Sequence, residues 1–178
     1  MQIFLIRGLI AVVWAAAFAA VAGSVTTDVT VAAGVLLVLY PLIDVTASLF
    51  DARSARGSAR RLLLGNAATS TVAAVALAAA ATGSVADVFA VFGVWAAVSG
   101  AAQLVTALRR RTLYGVQLPM LLAGGVSVLL GVVFIIAAGG TPPALSMLAV
   151  YAATGGIDFI IEAGLLARRR HHVAPVAA

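Results

Sequence analysis

The chain has no cysteine and no lysine, and only six acidic residues among 178. Without cysteine there are no disulfides, no thiolate nucleophiles and no cysteine metal sites. Without lysine, arginine supplies all eleven strong bases. Charged residues make up 10% of the sequence, against roughly 25% in a soluble domain. With 63% hydrophobic residues, the chain has too little polar surface to coat a globule in water, so its solvent must be lipid. The only histidines, His171 and His172, stand side by side near the C-terminus, in what reads as a polar tail rather than a metal site. No serine has an evident base, and no nucleophile–base arrangement appears. Walker and dinucleotide glycine patterns are also missing. Breaks of a few residues leave no room for a soluble catalytic domain. These absences argue against an enzyme, and no cofactor or metal is expected.

What the sequence has in abundance is long apolar runs. Polar punctuation divides it into segments at roughly 3–22, 27–50, 62–81, 86–108, 115–138 and 143–167. Each holds about 20–25 residues, enough to cross a ~30 Å hydrocarbon core at ~1.5 Å per residue. Lipid offers no partner to free backbone groups, so each run is expected as a helix. Residues 1–22 have the length of a leader peptide, with Ala20-Val21-Ala22 as a cleavage-like site. Arg7, however, falls inside the apolar run rather than before it, which favours an uncleaved first transmembrane helix. The expectation is an all-α integral membrane protein, with one six-helix domain over 1–170 and a short cytoplasmic tail at 171–178.

The breaks are of two kinds. Gly23-Ser24-Val25-Thr26, Thr82-Gly83-Ser84-Val85 and Gly139-Gly140-Thr141-Pro142 carry no arginine. The alternate breaks are basic: Asp51 to Arg61, Arg109-Arg110-Arg111 and Arg168-Arg169-Arg170. Together with Arg7, every arginine falls on one side of the proposed membrane. The positive-inside rule then puts both termini and the basic breaks in the cytoplasm. The net charge of +5 is read as topology signal and lipid headgroup contact. No aromatic interleaving supports nucleic-acid binding.

The segments form consecutive hairpins over roughly 3–50, 62–108 and 115–167. Sliding the second segment onto the fourth, without gaps, superposes Asp28 on Asp87, Gly34 on Gly93 and Asp44 on Gln103. Sliding the fourth onto the sixth superposes Ser99 on Thr154, Gly100 on Gly155 and Gln103 on Asp158. Periods of this size are the mark of internal repeats. Glycines before the ends of the even segments (Gly100, Gly155, Gly156) are followed by arginines (Arg109–Arg111, Arg168–Arg170). In this pattern the chain resembles the HdeD-like family of small bacterial inner-membrane proteins over roughly residues 3–170. The resemblance implies a link to acid resistance and a non-enzymatic role, exerted through interaction or assembly in the membrane.

Polar residues inside the apolar segments are the candidate site. Asp158 lies about ten residues before Arg168, roughly 15 Å along a helix and therefore near mid-bilayer. Glu162 is one turn further on and shares its face. Asp44, about nine residues before Arg53, sits at similar depth. Each such carboxylate costs roughly 2.5–3.5 kcal/mol to insert and needs a partner. Arg7 is the obvious one, and its position allows it to meet either Asp44 or Glu162. Asn66 and Gln103 can join a hydrogen-bonded network. Pro41 cannot donate to the carbonyl of Leu37 and introduces a kink next to Asp44.

Two readings follow from these residues. One is a proton or cation site, as in a small transporter or channel using Asp44 and Asp158. The other is an ion-pair and amide network that sets helix register and assembly. A third possibility is an accessory subunit of a larger envelope complex. Elsewhere, Ala123, Ser127 and Gly131 form a small-xxx-small stripe suited to close helix packing, as do Ala16 and Ala20. Trp14 and Trp95 fall mid-helix and read as filling rather than as a cofactor box. The expected partners are the lipid bilayer, other copies of the chain, or other membrane proteins.

Overall fold

The structure is a computed structural model that describes residues 2–23, 25, 27–114 and 118–172. Six helices account for nearly all of them: α1 (Gln2–Ala22), α2 (Val31–Ser54), α3 (Gly57–Ala80), α4 (Val85–Tyr114), α5 (Leu118–Ala138) and α6 (Met147–His172). All six are long and apolar enough to cross a membrane, and the described residues contain no strand.

The helix ends follow local chemistry. Gly23, at φ 43°, takes the left-handed conformation that stops α1. Thr30 caps α2 by accepting from the Ala33 amide at 3.3 Å. Ser84 and Asp87 cap α4 reciprocally: the Ser84 amide donates to Asp87 Oδ2 at 2.8 Å, and the Asp87 amide donates to Ser84 Oγ at 3.2 Å. Pro142-Pro143 delays α6 until Met147, later than hydropathy alone suggests.

At the basic end the helices run further than expected. Residues 51–61, read as a loop, are almost entirely helical, with only Ala55 and Arg56 between α2 and α3. Likewise α4 continues through Arg109–Arg111, and α6 through Arg168–Arg170 to His172. The histidine pair therefore ends a helix rather than lying in an irregular tail. Residues 173–178 of the expected tail, the connection at 115–117, and Ser24 and Thr26 of the first turn lie outside the described residues. Arginine is a good helix former, and a 30-residue α4 is about 45 Å long, enough to carry its basic end beyond a ~30 Å core.

The helices close into a ring. Among the described residues, Cα atoms of different helices come within 8 Å only between helices adjacent in the chain and between α1 and α6. The contact is most extensive in α4/α5, α2/α3 and α1/α6. The intimate pairs are thus not those within the expected hairpins. They join helices across the basic connections, and the first helix to the last.

Glycine explains two of these contacts. A Cβ on Gly93 would meet the Gly131 carbonyl oxygen at 2.7 Å, and one on Gly100 would meet that of Gly124 at 2.7 Å. On the other side of the ring, a Cβ on Gly8 would lie 2.7 Å from the Gly156 carbonyl oxygen. Such crossings let backbones touch, which in lipid replaces the hydrophobic drive that packs helices in water. The α5 stripe is therefore Gly124, Ser127 and Gly131. Ala123 is half-buried beside it, one position off the contact line. Ala16 and Ala20 are exposed.

The interior of the ring is filled by aromatic rings toward its arginine-free end. Trp14 stacks on Phe18 at 4.7 Å and leans on Tyr40 at 4.4 Å between centroids. Tyr40 meets Trp95 edge-on at 5.6 Å, and Phe92 meets Tyr151 edge-on at 5.2 Å. Phe89 and Phe134 complete the layer at 5.3 Å. Edge-to-face pairs at these separations are each worth about 0.5–1.5 kcal/mol beyond area burial. Above them the arginine-free connections are tied together. The Leu145 amide donates to the Val25 carbonyl at 2.9 Å, and the Val85 amide to the Thr27 carbonyl at 3.3 Å.

Candidate functional site

Asp44 is the centre of a hydrogen-bonded cluster between α1, α2 and α3. Arg7 Nη2 donates to Asp44 Oδ1 at 3.0 Å. Asn66 Nδ2 and Ser70 Oγ donate to Asp44 Oδ2 at 2.6 Å and 2.8 Å. All three partners are donors, matched to a carboxylate that only accepts. Asn66 spends its second amide proton on Ser48 Oγ at 2.9 Å. Arg7 also reaches Asp51, with Nη1 donating to Oδ2 at 3.2 Å, and its guanidinium lies 5.0 Å from the centre of the Phe159 ring. One arginine thus bridges three helices: it is rooted in α1, paired with two acids of α2 and stacked on α6. The pairs are mostly shielded, with 20% of the Arg7 side chain and 22% of the Asp44 side chain exposed.

The cluster connects to the aromatic layer. Ser70 gives its single proton to Asp44 and accepts from Trp95 Nε1 at 3.0 Å. Trp14 Nε1 donates to the Leu36 carbonyl at 2.8 Å. That carbonyl is one position before Leu37, whose own hydrogen bond Pro41 forfeits, so the indole supports the backbone beside the proline. Both tryptophans are therefore core residues with their N–H groups satisfied. A separate polar contact links α4, α5 and α6. Ser127 Oγ donates to the Ala96 carbonyl at 2.9 Å, so Tyr151, 2.6 Å away, is the donor to Ser127.

Of the residues singled out from sequence, Arg7, Asp44 and Asn66 converge on this cluster. Gln103 does not: it is half-buried on α4 and makes no hydrogen bond among the described residues. Asp158 and Glu162 also stay apart. Both are half-buried on the stripe of α6 that carries Tyr151 and Gly155, and neither has a hydrogen bond or ion pair among the described residues. Glu162 lies near enough to Arg7 for their charges to interact, but the arginine's hydrogen bonds go to α2. The equivalence of Asp44, Gln103 and Asp158 in the aligned segments therefore does not make three equivalent clusters. Sequence reasoning missed Asp51, Ser48 and Ser70. A signal existed: Asp44, Ser48 and Asp51 fall at i, i+4 and i+7, one face of a helix, and Asn66 and Ser70 are one turn apart.

No group of three or more histidine, cysteine or acidic residues suited to a metal ion occurs among the described residues. No protein-family model, curated protein or solved structure matches the chain.

Proposed function

We propose that this chain is a non-enzymatic, multi-pass protein of the bacterial plasma membrane, with cytoplasmic termini, that acts through assembly or interaction within the bilayer. The resemblance to the HdeD-like family extends this to a role in acid or envelope stress. The observation that carries the non-conducting reading is the occupancy of Asp44. Its two oxygens hold three donors from α1 and α3, and a layer of aromatic rings in mutual contact lies beyond it. A carboxylate so fully engaged holds helices together; it is poorly placed to exchange ions. Arginine placement supports the topology.

One observation favours a second reading, a small proton-conducting or transport protein. Asp158 has no hydrogen-bond partner among the described residues and shares its stripe with Glu162 and Tyr151. An unpaired intramembrane acid is a functional candidate by default. Proton flux into liposomes holding the purified protein separates the two. The proposal expects the same background leak from wild type, Asp158→Asn and Asp44→Asn. Flux in the wild type that vanishes in Asp158→Asn would replace it with the conducting reading. Under the assembly reading, cross-linking in native membranes followed by purification should recover a defined assembly.

A further inference from the structure

The arginine-free ends of α2 and α3 enclose an open groove of about 620 Å³, on the opposite half of the bundle from the Asp44 cluster. Its floor is made of small residues. Gly34 and Ala81 touch there, a Cβ on Gly34 lying 3.3 Å from that of Ala81. Its walls are the branched side chains of α2, including Val35, which is 54% exposed. Its mouth is polar, with Asp28 beside Thr82 at the helix ends. From Val31 to Leu39 the lined face of α2 runs roughly 12 Å, most of the ~15 Å depth of one leaflet. The volume falls within the roughly 300–1,000 Å³ typical of small-ligand sites.

Charge decides which ligand fits. The acids at the arginine-free end are Asp28 and Asp87. Asp87 is engaged by Ser84 in the α4 cap. Asp28 is exposed and makes no ion pair among the described residues. The site is therefore an apolar slot spanning most of one leaflet, with an exposed carboxylate at its mouth and no base lining it among the described residues. An anionic headgroup would be repelled there, whereas a primary ammonium can both pair with the carboxylate and hydrogen-bond to it. We propose that this groove binds an aminophospholipid, with one acyl chain lying against Gly34 and Ala81 and the headgroup ammonium on Asp28.

Native mass spectrometry of the delipidated full chain tests this, using an equimolar mixture of phosphatidylethanolamine, phosphatidylcholine and phosphatidylglycerol. The wild type is expected to retain phosphatidylethanolamine several-fold over phosphatidylglycerol. Asp28→Asn should keep bound lipid but lose that preference. Gly34→Leu should lose bound lipid of every headgroup. Because that change also presses on Ala81, Val35→Trp provides a second way to fill the groove, from its wall, without touching the α2/α3 contact. Equal lipid retention by the wild type and Val35→Trp would overturn the site. An unchanged headgroup preference in Asp28→Asn would overturn the role of the carboxylate. A lipid-free dimer that dissociates in Val35→Trp would assign the groove to a second copy of the chain instead.

Discussion

Trp95 donates its indole N–H to Ser70 Oγ at 3.0 Å, and the same Ser70 hydroxyl donates to Asp44 at 2.8 Å. This serine, fully buried on α3, makes one structure of the aromatic layer and the charged cluster. Ser70→Ala removes an acceptor from Trp95 and a donor from Asp44 at once. Leaving buried polar groups unsatisfied costs about 1–3 kcal/mol each, so a loss of about 2 kcal/mol is expected. Denaturant unfolding in detergent measures it, and tryptophan emission should change because Trp95 loses its partner. Wild-type stability in this variant would mean that the layer and the cluster are independent.

The two acids of α2 are not equivalent partners of Arg7. Asp44→Ala takes the acceptor of Ser70 and one of the two acceptors of Asn66, while Asn66 keeps Ser48 and Arg7 keeps Asp51. The expected cost is about 2–3 kcal/mol, just below the range for breaking a fully buried pair. Asp51→Asn removes a longer and more exposed pair and should cost about 0.5–1 kcal/mol. Thermal unfolding of both variants in the same detergent gives the ranking. The reverse order would make Asp51 the anchor and Asp44 the accessory.

Glycine content along α5 is used unevenly. A Cβ on Gly131 would come within 2.6 Å of the Ala97 amide nitrogen and the Gly93 carbonyl oxygen, both backbone atoms, whereas one on Gly125 meets nothing within 4 Å. Gly131→Ala should therefore push α4 and α5 apart at a cost of about 1–3 kcal/mol. Gly125→Ala should stay within about 0.5 kcal/mol of wild type. Unfolding midpoints of the two variants, measured side by side, decide it.

Trp14→Phe preserves a ring to stack on Phe18 but removes the donor to the Leu36 carbonyl. With Pro41 already interrupting the ladder of α2, the expected loss is about 1–2 kcal/mol. Hydrogen exchange should rise locally on α2 near Tyr40. Unaltered exchange there would show that the backbone beside the proline does not need the indole.

Six membrane-length helices could be read directly from the sequence, because hydrocarbon tolerates few charges and no free backbone. Apolar run length and charge placement record that constraint residue by residue. Arg7 and Asp44 could be recognised as groups needing partners for the same reason: an ionised side chain amid Ile, Leu and Val has few ways to exist. Their pairing could not be read, because Arg7 can reach several helices and its choice depends on which helix lies beside α1. The ring decided that. By setting α1 between α2 and α6, it gave Arg7 both acids of α2 and the face of Phe159, and among the described residues it left Asp158 without a hydrogen-bond or ion-pair partner despite its aligned place in the sequence. Helix ends at the basic side were misjudged because arginine interrupts hydropathy without interrupting a helix. The intimate pairs α2/α3, α4/α5 and α1/α6 were also decided by tertiary structure. In lipid, adjacency follows from which small and polar surfaces fit each other, and a linear pattern of apolar residues does not encode that fit.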